Sequence, residues 1–152
     1  LHDAIAADPR IRLIDRRLPR AEAEALLACC DAHISLHRAE GFGRIPAEAL
    51  ALGLPVIATG WSGTADYLTP ETGFSVAYSL VPVPPGAYPH GEGQHWAEPD
   101  IAHAARLMRQ VADNPAVARS IAARGQTLIR RDYSPEAAGR RYRARLEELG
   151  WL

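Results

Sequence analysis

The run from His33 to Thr59 constrains this chain most. It reads as a short β-rich segment, His33-Ile34-Ser35-Leu36-His37, followed by a glycine loop, Glu40-Gly41-Phe42-Gly43. A compact helix from about Pro46 to Leu52 comes next, stopped by Gly53 and Pro55, and then a second strand, Pro55-Val56-Ile57-Ala58-Thr59. A strand, a loop, a helix and a parallel strand make a βαβ unit, which predicts an α/β domain. In open α/β sheets ligands bind at the carboxyl ends of the strands, and the glycine loop has to lie there. Position alone makes it a candidate site.

The residue types suit that position. Glycines lack a Cβ, so the backbone can turn sharply and a ligand can approach bare amides. The helix behind the loop adds unpaired N–H groups and the positive end of its dipole, which favour a phosphate. Pro46 fits the first helical position, and Glu48 follows in the first turn, where the dipole stabilises a carboxylate by about 0.3–1 kcal/mol. A full capping box would want Ser or Thr at the N-cap, and the residue there is Ile45. Carboxylates only accept hydrogen bonds, so Glu40 and Glu48 can each hold two neighbouring hydroxyls of a sugar or ribose. A negative charge beside an anomeric carbon also steadies an oxocarbenium-like transition state. The competing reading, an acid/base pair of a glycoside hydrolase, needs carboxyls roughly 5 to 9.5 Å apart. It leaves the glycine loop and helix N-terminus without a task.

The stretch from Ile34 to Gly63 resembles the donor-binding half of retaining GT-B glycosyltransferases of the group 1 type. The matching residues are Glu40-Gly41-Phe42-Gly43, Glu48-Ala49 with the Glu-x7-Glu spacing, Gly53-Leu54-Pro55-Val56-Ile57-Ala58-Thr59 and Ser62-Gly63, continued by Gly73-Phe74-Ser75-Val76. The resemblance implies a Rossmann-like parallel sheet flanked by helices, the C-terminal half of a GT-B fold, truncated at its N-terminus. It implies a hexosyltransferase-type enzyme, of the kind used in polysaccharide biosynthesis, that moves a sugar from a nucleotide-sugar donor with retention. It requires neither metal nor cofactor. Glu40 is then the catalytic carboxylate facing the donor sugar. The amides of Gly41, Phe42 and Gly43 lie at the sugar, those of Arg44 and Ile45 hold the diphosphate, and Glu48 takes the ribose. The turn Arg16-Arg17 lies near the base, with Arg17 as donor-binding residue.

Transferases of this type usually carry an arginine and a lysine near the start of the donor domain, and this chain has no lysine. It opens on Leu1 and keeps its one methionine at Met108. These departures predict a fragment, inactive alone, whose acceptor is held by a missing N-terminal domain. Arg44 supplies part of the missing charge. A non-catalytic nucleotide-sugar binding module and an epimerase are the alternatives. A phosphorylase would need pyridoxal phosphate on a lysine.

With 152 residues and 47% hydrophobic content the chain can bury one core, so residues 1–152 read as a single domain. A net charge of −1 gives no global basic field and argues against nucleic acid. The charge is uneven: residues 101–152 hold ten arginines and five acids, residues 1–100 seven arginines and thirteen acids. The basic C-terminal region is either a solvated face or a peripheral contact with an anionic membrane. The location expected is cytoplasmic, with the inner membrane face as the alternative. The apolar run Ala49–Thr59 is too short to span a bilayer. Cys29 and Cys30, adjacent on an alanine-rich helix, cannot readily pair and read as small buried side chains in a reducing compartment.

Outside the βαβ unit the pattern predicts a strand at Ile11–Asp15, a helix at Arg20–Cys30, a short strand near Phe74–Val76 and helices across 100–150. Asn114-Pro115 and Ser134-Pro135 are helix starts. Ile101, Ala105, Met108 and Val111 recur at helical spacing, as do Tyr142, Leu146 and Leu149, and read as core. Residues 78–99 read as a long Pro/Gly-rich loop whose Tyr88, His90, Gln94, His95 and Trp96 suit it to cover the donor or meet the acceptor domain. His90, Glu92 and His95 match no structural zinc spacing, and His33 and His37 stand about 13 Å apart on a strand. The segment Gly60–Asp66 is either a wall of the Glu40 cleft or a turn into a short helix capped by Ser62 or Thr64.

Overall fold

The short run Val56-Ile57-Ala58-Thr59, three β-branched residues and one alanine, sets the centre of the molecule. In the computed structural model, which describes residues 5 and 7–152, this segment is β2 (Val56–Thr59), fully buried along its length. It pairs in parallel with β1 (His33–Ser35), Ile34 opposite Ile57, and with β3 (Phe74–Val76), Ile57 opposite Phe74. A strand buried on both faces needs a layer on each side. Val56 and Ala58 face α2 (Arg44–Ala51), where they pack with Leu50, Tyr67 and Ile129. Ile57, Phe74 and Val76 face the other way, against Ala104 and Val111 of α3 (Ile101–Asp113) and Ala118 of α4 (Pro115–Asp132). The domain is α/β, a three-stranded parallel sheet flanked by helices.

The remaining elements are α1 (Arg20–Ala28) ahead of the sheet, a 3-10 turn at Ser62–Asp66, an antiparallel pair β4 (Tyr78–Pro82) and β5 (His95–Pro99), and α5 (Pro135–Glu148) at the end. Asp100 and Ser134 cap their helices by accepting from the N–H of His103 and Ala137 at 2.8 and 3.1 Å. Asn114 precedes the expected proline but its side chain makes no cap, its amide donating back to Gln110 O instead.

Several expectations are corrected. Ile11–Asp15 forms no strand: no partner strand meets it among the described residues, and Ile11, Leu13 and Ile14 are exposed. The span 78–99 is not a loop throughout but a hairpin, with Val81 opposite Trp96, so only 83–94 is irregular. Cys29 and Cys30 are exposed, not buried. On α3 the core positions are Ala104 and Val111, while Ile101 is 62% exposed and Met108 48%. Tyr142 and Leu149 on α5 also face solvent, because little among the described residues packs there.

Candidate functional site

The helix α2 starts two residues earlier than the proline suggests. Gly43 is its N-cap, at φ 81°, a left-handed conformation that an L side chain rarely adopts. A Cβ at Gly43 would also stand 2.5 Å from the Tyr67 hydroxyl and 2.6 Å from Thr64 Cγ2. Pro46 is therefore the third helical residue. Its missing N–H still costs nothing, because the first four amides of a helix have no partner inside it. The first helical bond is Ala47 N–H to Gly43 O at 3.0 Å. Glu48 sits in the second turn rather than the first, so the dipole explains it less well than expected. At its other end α2 closes with Gly53 at φ 80°, where the N–H groups of Gly53 and Leu54 return to Leu50 O and Ala49 O. Gln126 and Arg130 of α4 donate to Ala51 O at 2.9 and 3.1 Å and hold the helix against the sheet.

The strand order brings three segments to one edge. Glu40 follows β1, the segment Gly60–Asp66 follows β2, and Tyr78 follows β3, all at the carboxyl ends of parallel strands. The Gly63 N–H donates to Glu40 O at 3.2 Å, and a Cβ on Gly63 would collide with Gly41 O. The Gly60–Asp66 segment is thus packed against the glycine loop, as a wall and as a short 3-10 turn at once. Neither Ser62 nor Thr64 caps it. Thr64 instead donates to Thr59 O at 2.9 Å from a buried position. His37 ties the two segments together, its Nε2 lying 3.2 Å from Trp61 O and 3.3 Å from Thr64 Oγ1.

Within this frame Glu40 is half-buried, and its Oε1 accepts the Gly43 N–H at 3.1 Å. The amides of Arg44 and Ile45 have no hydrogen-bond partner among the described residues. Gly41 is exposed, and a Cβ there would meet nothing within 4 Å, although its carbonyl packs against Gly63. Phe42 turns its ring toward Tyr67 and Tyr133, with centroids 5.4 and 5.5 Å away. Tyr67 is wholly buried and donates to Gly43 O at 2.7 Å. Burial, and then the charge of Glu40, push its phenol above the ordinary range and keep it a donor.

Glu48 stands in different surroundings. It pairs with Arg44 at 3.6 Å and lines a cavity of about 510 Å³ between α1 and α2 with Leu18, Arg20 and Ile45. Arg17 is exposed and immediately precedes Leu18 at that cavity. Arg16 beside it is spent on Glu22 at 3.1 Å. The two glutamates, Gly41, Phe42, Gly43, Arg44 and Ile45 therefore share one short structure, while Arg17 is exposed and does not line the neighbouring cavity. Tyr67 and His37 also build the site, beyond the residues the sequence points to, while Thr64 belongs to the expected wall segment Gly60–Asp66. Only the places of His37 and Tyr67 after β1 and β2 pointed to them. No group of three His, Cys, Asp or Glu side chains among the described residues is disposed to hold a metal.

A family model described as family 4 glycosyltransferase in conflict systems matches residues 3–141. The chain belongs to this family. No curated protein matches it at a significant level. A family 4 glycosyltransferase domain of the GT-B kind transfers a sugar from a donor to an acceptor, and the α/β layers described above are consistent with half of such a fold. In this family 4 glycosyltransferase Glu40 stands at the carboxyl edge of the sheet, bonded to the N-cap residue of α2.

Proposed function

We propose that this chain is the donor-binding domain of a retaining glycosyltransferase that uses a nucleotide sugar. The observation that carries the reading is the open start of α2. Two unpartnered amides, those of Arg44 and Ile45, stand at the positive end of a helix, with the exposed backbone of Gly41 on one side and Glu48 on the other. Such a helix start favours a diphosphate. Glu40, catalytic in this reading, faces the donor sugar and stabilises positive charge as the glycosidic bond to phosphate lengthens. Gly41, Phe42 and Gly43 line the sugar subsite. The Gly43 amide already donates to Glu40, so its contribution is to aim that carboxylate. Glu48 accepts from ribose hydroxyls, and the base enters the cavity beside Leu18 near Arg17. A second domain holds the acceptor across the cleft, and the 152 residues alone do not complete transfer. The setting is that of the family, a conflict system.

One observation favours a second reading, a nucleotide-sugar binding module without chemistry. Arg44 is the arginine closest to the diphosphate position, and it is paired with Glu48 rather than free. The substitutions Glu48→Gln and Glu40→Gln separate the roles. Glu48→Gln should weaken nucleoside diphosphate binding by about 1–3 kcal/mol, the loss of a charged hydrogen bond. Glu40→Gln should leave that binding nearly unchanged and depress turnover in the enzyme. Equal losses of nucleotide affinity in both variants would refute the division, and turnover untouched by Glu40→Gln would favour the binding module.

A further inference from the structure

Arg38 lies two residues before Glu40 and makes three different contacts with β5. Its carbonyl accepts the Ala97 N–H at 2.9 Å. Its guanidinium grips Glu98, Nε to Oε2 at 2.6 Å and Nη2 to Oε1 at 2.9 Å, and stands 5.1 Å from the ring centre of Trp96. A bidentate pair fixes orientation as well as distance, and a guanidinium over an indole face adds attraction to the ring. A single exposed ion pair would contribute little. Three bonds of different kinds converging on one residue make a joint. Glu98 responds to it, its carboxyl held below the ordinary range by Arg38.

The joint fastens the far strand of the hairpin, and the near strand is held separately. Tyr78, the first residue of β4, packs its ring on Trp61 at 5.3 Å, at the end of β2. The hairpin thus leaves the sheet at β3, passes the end of β2 and is tied down at the loop after β1. Ala97, between Trp96 and Glu98 on β5, is fully buried. Residues 78–99 contain no lysine or arginine, so the guanidinium that meets Glu98 comes from outside the hairpin, from Arg38.

We propose that Arg38 is a positioning residue: it fastens the β4–β5 hairpin as the wall of the donor-sugar side of the cleft and so holds the Glu40 loop in its working shape. The inference rests on the reading of Glu40 as the residue that faces the sugar. It assigns the hairpin to the sugar and acceptor side, away from the nucleotide subsite at Glu48.

Hydrogen exchange on the 152-residue chain, with R38A and the charge-swapped R38E/E98R, tests the joint. R38A should raise exchange about tenfold across 78–99 and also across 39–43, the opening that a lost tie permits. The double variant should recover most of the protection. Affinity for UDP, GDP or ADP, whichever the parent binds, should stay within about threefold of the parent, because the nucleotide subsite is untouched. In the enzyme, R38A should lower kcat about tenfold with little change in donor KM, the mark of misplacement rather than lost binding. Faster exchange confined to the hairpin, with 39–43 and kcat unchanged, would overturn the proposal. So would a failure of the charge swap to restore protection. If the parent chain binds none of UDP, GDP and ADP, the donor-site reading fails instead, and exchange across 39–43 still decides whether Arg38 holds that loop.

Discussion

Tyr67 illustrates what a single side chain contributes and why it was hidden. Its hydroxyl reaches Gly43 O, 24 residues back, and its ring packs at a tilt on Phe42 and edge-on to Tyr133. Nothing in the segment Asp66-Tyr67-Leu68 announces such a partner, because a long-range contact leaves no local pattern. Glu40 and Glu48 were legible because their types and spacing carry chemistry by themselves. Their different surroundings were not, since the pairing of Glu48 with Arg44 depends on where the helix starts. His33 gives a test at this scale. Its Nε2 is buried without a hydrogen-bond partner, and burial holds the ring below its ordinary value of 6.5. The unfolded chain then binds the proton more readily, so stability is complete above about pH 6.5 and falls as the pH drops through that value toward the lower folded one. Carboxyls such as Glu98, also held below their ordinary range, lose their contribution only at lower pH. The melting temperature should therefore decline between about pH 7 and pH 5, and His33→Asn should flatten that decline. An unchanged slope in the variant would show that His33 does not govern it.

At the scale of elements, the βαβ unit was read correctly because hydrophobic runs and glycine punctuation fix it locally. The helix start was misplaced by two residues because Pro46 is compatible with any of the first positions of a helix. The hairpin was missed because its prolines and glycines cluster in 82–93, and the short strands on either side pair with one another across a gap that no periodicity bridges. Ile11–Asp15 has the composition of a strand but needs a neighbour to become one. Glycines that look alike in sequence do different things here. Gly63 is pressed against Gly41 O and Gly43 holds a left-handed turn, whereas a Cβ on Gly41 would meet nothing. Gly63→Ala should destabilise the domain by about 1–3 kcal/mol through overpacking against backbone. Gly41→Ala should change stability by less than about 0.5 kcal/mol, as at an ordinary surface position, yet weaken binding of the nucleotide sugar. Thermal melts paired with titrations check both, and a Gly41→Ala variant that binds as tightly as the parent would mean that no ligand approaches that backbone.

Over the whole molecule, two layers of helices lie on a short parallel sheet, and the site elements gather at the carboxyl ends of its strands. No described helix is long and apolar enough to cross a membrane. The arginines of α5, among them Arg143 and Arg145, are largely exposed and partly matched by Glu147 and Glu148, which fits a solvated face. In the proposed function a nucleoside diphosphate sits over the start of α2. Titration of isotope-labelled chain with UDP, GDP and ADP, followed by NMR, tests it most directly. The amides of Gly41 to Glu48, above all Arg44 and Ile45, should shift with at least one of the three, with weak affinity because no lysine assists. Shifts confined to α4 and α5, or none with ligand in the millimolar range, would contradict the account.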